Sequence, residues 1–124
     1  MDQSKLTQEE RRTLEVIEIY RAEHTTWNLE KLRGIFADNP EVWRGTRRYV
    51  GNKEVDALLV EWATKPRRSF EMQHGRILVQ GNFAAVEWRS IGENADGTPI
   101  DMIGGNIYEL ENGKIKYLAI YRRQ

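Results

Sequence analysis

In the stretch YRAEHTTW, Tyr20, His24 and Trp27 fall at spacings of four and three, so a helix would set a phenol, an imidazole and an indole on one face. A phenol donates a hydrogen bond, and imidazole is the side chain best suited to move a proton near neutral pH. The same trio also reads as core aromatics whose polar tips find partners. His74 lies between Gln73 and Gly75 in a strand-like run and shares parity with Phe70 and Met72. Facing inward it is the strongest candidate base, and a satisfied core histidine explains it equally well. Asn106 follows Gly104 and Gly105, and shares a strand face with Met102, Gly104, Tyr108 and Leu110 unless a bulge intervenes. Its amide either donates to a ligand carbonyl or bonds its own backbone. Asp101 has the opposite parity and reads as solvent-facing, while Glu87 and Arg89 share a strand face and suit cross-strand or interface pairing. Trp43, Trp62 and Trp88 read as walls of a core or pocket, with Trp88 on the face of Ala84 and Val86.

Composition narrows the chemistry. Nineteen Lys and Arg balance nineteen Asp and Glu among 124 residues, which leaves no electrostatic footprint for nucleic acid or an anionic membrane. The chain has no cysteine, hence no disulfide framework and no thiolate nucleophile. His24 and His74 are its two histidines and stand in no ligand-spaced cluster, so no metal and no organic cofactor is expected. MDQSKLTQEE carries no apolar leader, and no run approaches a membrane span, which points to a cytoplasmic protein. The length suits one domain over residues 1–124.

The elements that must hold these residues follow from caps and periodicity. Thr7-Gln8-Glu9-Glu10 is a capping box, and Thr13, Val16, Ile17, Tyr20, His24 and Trp27 continue as one helical stripe. Asn28 caps a second short helix with Leu29, Leu32, Ile35 and Phe36 buried, and Asp38-Asn39-Pro40 stops it. Glu41 to Val50 is a short strand or an extended loop. Gly51-Asn52 introduces a third helix from Lys53 to about Thr64 with Val55, Leu58, Leu59 and Trp62 on its face, closed by Pro66. Four strands follow, Ser69 to Val79 with a break at Gly75, Phe83 to Ile91, Ile100 to Leu110 and Lys114 to Arg122. Gly81-Asn82, Asp96-Gly97 and Asn112-Gly113 mark antiparallel reversals. The fold class is therefore α+β, three helices packed in a curved, mostly antiparallel sheet, with bends expected at Gly75 and at Gly104-Gly105.

This order, with the phrases GIFADNPEVW, AAVEWRS, ADGTPIDMIGG and YELENGKI, resembles the nuclear transport factor 2-like superfamily, in particular its SnoaL-like and ketosteroid isomerase members. The resemblance covers nearly the whole chain. It implies a cone-shaped α+β barrel with an apolar pocket at its wide end, and a homodimer through the outer face of the sheet. Tyr20 stands where ketosteroid isomerase has its substrate-binding tyrosine, Asn106 about where it has the protonated aspartic acid of its oxyanion hole, and Arg44 about where it has its base. Steroid isomerisation is therefore not implied. The arginine and two aspartates of the superfamily's epoxide hydrolases would fall near Glu87, Arg89 and Ile120, and the late aspartate of SnoaL-type cyclases is absent from YLAIYRRQ. The resemblance implies a pocket for a small apolar carbonyl or polycyclic ligand. Tyr20, His24, His74 and Asn106 are its candidate catalytic groups. Trp27, Trp43, Arg44, Trp62, Met72, Trp88, Met102 and Tyr108 are its candidate ligand contacts. A second class of function is a non-catalytic binding or association domain that dimerises through the outer face of the sheet, with its pocket filled by Trp43, Trp62 and Trp88.

Overall fold

The computed structural model describes residues 5–123. Helix α1 (Gln8–Thr26) starts at the expected capping box, where Glu10 N–H donates to Thr7 Oγ1 at 3.1 Å and Thr7 N–H to Glu10 Oε1 at 2.9 Å. It ends because Trp27 turns left-handed at φ 57°, which swings the indole off the helix axis. Asn28 then caps α2 (Leu29–Gly34), its side chain accepting from Lys31 N–H. Strands β1 (Phe36–Arg44) and β2 (Arg47–Val50) form a hairpin, followed by α3 (Asn52–Thr64) and the long strands β3 (Arg67–Gln80), β4 (Phe83–Asn94), β5 (Pro99–Glu111) and β6 (Lys114–Arg123).

The six strands form one sheet in the order β2-β1-β6-β5-β4-β3. Neighbours are antiparallel except β1 and β6, which run parallel. The fold is thus α+β, with helices packed on a mixed sheet whose edges, β2 and β3, do not pair to close a barrel. Val16 and Ile17 of α1 and Val55, Leu58 and Leu59 of α3 bury their stripes with Val42, Leu110, Ile115 and Leu118 of the sheet. Each such side chain contributes about 1.5–3 kcal/mol through the water it sheds, so this layer holds the helices against the sheet.

Two expectations about local structure change. Phe36 belongs to β1 rather than to α2, because the helix ends at Gly34, and Asp38-Asn39-Pro40 lies inside that strand. The strand tolerates them through an irregularity: its register against β6 shifts between Phe36 and Glu41, with Asn39 at φ 52° and its N–H held by Asn52 Oδ1 at 2.7 Å. Gly75 does sit at a register shift, between His74 and Ile77. Gly104 and Gly105, by contrast, pair in unbroken register with both β4 and β6. They do not make a bulge.

Candidate functional site

The last turn of α1, the end of α3 with Thr64 to Arg67, and the facing strands enclose a cavity of about 600 Å³. Tyr20 and His24 form its helical wall, their ring centroids 4.0 Å apart, and His24 also packs at 5.0 Å from Trp27 and 5.2 Å from Trp62. His24 Nδ1 lies 2.8 Å from the Tyr20 carbonyl. A carbonyl can only accept, so Nδ1 carries the hydrogen and Nε2 keeps its lone pair. Burial lowers the His24 pKa to about 4, the Tyr20 carbonyl opposes that shift, and the Arg67 charge adds to it, so the imidazole is neutral at physiological pH. Burial, with a smaller part from Tyr108, holds the Tyr20 pKa well above its ordinary value, which keeps the phenol protonated as a donor. Among the described residues, neither the Tyr20 hydroxyl, nor His24 Nε2, nor the buried Ser90 hydroxyl makes a hydrogen bond.

Asn106 is buried on the opposite wall, where its Oδ1 accepts from Trp88 Nε1 at 2.8 Å and its Nδ2 donates to the Tyr108 hydroxyl at 3.0 Å. An amide offers two N–H groups and two lone pairs, so one of each is left. This chain of contacts explains Gly104. A Cβ there would stand 2.5 Å from Trp88 Cζ2 and in collision with the Tyr121 carbonyl oxygen. The missing side chain is the space that the Trp88 indole occupies on its way to Asn106.

At the mouth, Arg44 pairs with Glu61 at 3.0 Å. Arg67 lies over the rings of Trp27 (4.4 Å) and Phe70 (5.0 Å), while its Nη1 donates to the carbonyls of Trp62 (3.0 Å) and Lys65 (3.3 Å). Lys65 and Arg122 complete the rim.

The structure therefore brings Tyr20, His24, Trp27, Arg44, Trp62, Met72, Trp88, Met102 and Asn106 to one cavity. Three sequence candidates lie off its wall. Trp43 is half-buried on the opposite side of β1 from Val42, donating from Nε1 to Glu41 Oε2 at 2.7 Å with the Arg48 guanidinium above its ring. Tyr108 sits behind Asn106, its ring edge-on to Tyr20 at 5.7 Å. His74 is turned to α1, with Nδ1 3.2 Å from Glu18 Oε1; burial lowers its pKa and Glu18 opposes that shift. Asp101 is exposed and paired with Arg89 at 2.9 Å, and Glu87 pairs with Arg76 across β3 and β4. Ser90, Arg67, Glu61, Lys65 and Arg122 are among the cavity residues that sequence reasoning passed over. Ser90 continues the Ala84, Val86, Trp88 parity and was legible from it; Arg67 was not, because its place depends on how α3 meets β3.

The sequence profile of the SnoaL-like domain matches residues 10–118. The chain belongs to the SnoaL-like family, within the NTF2-like superfamily. No curated protein matches the sequence significantly. Solved structures share the SnoaL-like architecture. An NTF2-like protein of unknown function from Mesorhizobium loti superposes with a TM-score of 0.77 at 18% identity, over 96% of this chain and 97% of its own. SalBIII, an epoxide hydrolase/cyclase-like enzyme of pyran ring formation in salinomycin, gives 0.81 at 15% identity, covering 95% of each chain. An epoxide hydrolase from M. tuberculosis gives 0.79 at 16% identity, over 93% of this chain and 85% of its own. At such identities the likeness shows the fold alone.

Proposed function

We propose that the chain binds a flat, largely apolar carbonyl compound in this cavity and rearranges it by proton transfer without a cofactor, as an isomerase, cyclase or dehydratase. The observation that carries the reading is the Tyr20 and His24 pair, buried with their rings tilted against each other on the same cavity wall, with a hydroxyl and an Nε2 lone pair that find no partner among the described residues. In this reading the Tyr20 O–H donates to the substrate carbonyl oxygen. His24 Nε2 takes the proton from the adjacent carbon, the C–H electron pair becomes the enolate double bond, and the proton returns at another position. The enolate formed beside it offsets the cost of the buried imidazolium. Trp62, Trp88, Met72 and Met102 supply apolar walls for the body of the compound.

A second reading, binding without catalysis, is favoured by one feature. Among the described residues Glu61 is the carboxylate on the cavity wall, and it is paired with Arg44. Deuterium exchange separates the two. With 2-acetylnaphthalene in D2O, proton transfer predicts accelerated α-deuteration that falls at least tenfold in His24→Asn; saturable tryptophan quenching with no exchange supports binding alone. The chain is further proposed to act as a single cytoplasmic domain over residues 1–124, a setting that its lack of cysteine supports. Homodimerisation through the outer sheet face is also proposed, since Leu78, Phe83, Ile103, Ile107 and Tyr121 stay exposed there.

A further inference from the structure

We infer that the compound this cavity takes carries a carboxylate, seated at the mouth on Arg67 and Arg122. The inference rests on the cavity being a ligand site and names the class of ligand. Several arginines elsewhere on the surface close on carboxylates: Arg33 on Asp56, Arg76 on Glu87, Arg89 on Asp101. The mouth differs. It gathers Arg44, Lys65, Arg67 and Arg122 around Glu61, the one acid there among the described residues, which Arg44 already takes. Among the described residues no carboxylate lies within ion-pair distance of Arg67, Arg122 or Lys65, although the chain has as many acidic as basic side chains.

Arg67 is also held in place. Its place over Trp27 and Phe70 and two bonds from Nη1 to backbone carbonyls hold the guanidinium, while among the described residues Nε and Nη2 make no hydrogen bond. A guanidinium offers parallel N–H donors that match a carboxylate's two oxygens, and a fixed one loses less freedom when it binds. Partial burial without a counterion disfavours its charge, as the lowering of its pKa reflects. An arriving carboxylate would relieve that cost. It would also cancel the Arg67 field that now works against a protonated His24, so an anionic ligand strengthens the base beside it.

The test compares 2-naphthoate with its neutral counterpart 2-naphthamide, followed by tryptophan quenching at low salt. The inference expects naphthoate to bind at least tenfold more tightly, the preference to shrink several-fold in Arg67→Gln and in Arg122→Gln, and the His24 pKa, read by NMR, to rise with naphthoate and not with naphthamide. Arg122 is exposed on the last strand, so its variant serves should Arg67→Gln fail to fold. Equal affinity for the two compounds, or a preference retained in both variants, overturns the carboxylate and leaves the cavity reading standing. Binding of neither compound overturns both.

Discussion

His24 makes stability depend on pH in a calculable way. Its folded pKa is about 4 against an ordinary 6.5, so as pH falls below 6.5 the unfolded chain takes up a proton that the folded chain refuses. The neutral histidine costs nothing at pH 7 and above; stability is lost as pH falls towards 4 and levels off below. Between about pH 7 and about pH 5 the two pKa values give a loss of about 2 kcal/mol, with a limit of about 3 kcal/mol at lower pH. His74, whose pKa is also lowered by burial, and the remaining charged groups contribute alongside. They are common to wild type and to His24→Asn, so the difference between the two proteins isolates His24. Urea unfolding followed by tryptophan emission at pH 7, 6, 5.5 and 5 should give a wild-type curve steeper than the variant's by about 2 kcal/mol over that range. The absolute stability of the variant does not matter, only its slope. Parallel curves would refute a neutral, buried His24 and with it the free lone pair at Nε2.

Gly104→Ala drives a methyl group into the Trp88 indole and the Tyr121 carbonyl, and should cost about 1–3 kcal/mol with a shift in tryptophan emission; a neutral effect would mean the indole does not cover that strand. Tyr20→Phe should weaken 2-acetylnaphthalene about five- to tenfold, the net worth of one hydrogen bond, at little cost in stability since the hydroxyl has no partner among the described residues; unchanged affinity removes the donor role. Thr7→Ala takes away the capping box of α1 and should lower unfolding free energy by about 1 kcal/mol. If the outer face joins two copies, Leu78→Lys with Ile107→Glu should convert a dimer to a monomer in sedimentation; a wild-type monomer at the same concentration would dismiss that interface.

The helices were legible because their stripes and caps are local. Thr7 with Glu10 and Asn28 with Lys31 do in the structure what their spacing announces. Strand parity carried equally well, placing Trp88 and Asn106 on the buried face and Asp101 outside. What failed was punctuation with two meanings. Asp38-Asn39-Pro40 reads as a helix stop, yet Asn39 adopts a left-handed turn within β1 at an irregular pairing where proline is tolerated. The glycine pair reads as a bend, whereas Gly104 leaves room for an indole from the neighbouring strand, which no single-strand pattern contains. His74 and Tyr108 have inward parity, but α1 covers the first and Asn106 stands with the second, so parity alone did not bring them to the cavity. Arg67 was hidden because its place depends on how α3 meets β3.

The cavity between Tyr20, His24 and Asn106 is proposed to hold a small organic compound. Native mass spectrometry of the protein after incubation with an extract of its source cells tests it directly, since it reads ligand mass and oligomeric state together. A retained compound is expected, anionic and aromatic or polycyclic, with an occupancy that falls in Tyr20→Phe and Arg67→Gln. A protein that stays empty at every extract concentration, or one that retains the compound equally in both variants, would contradict it.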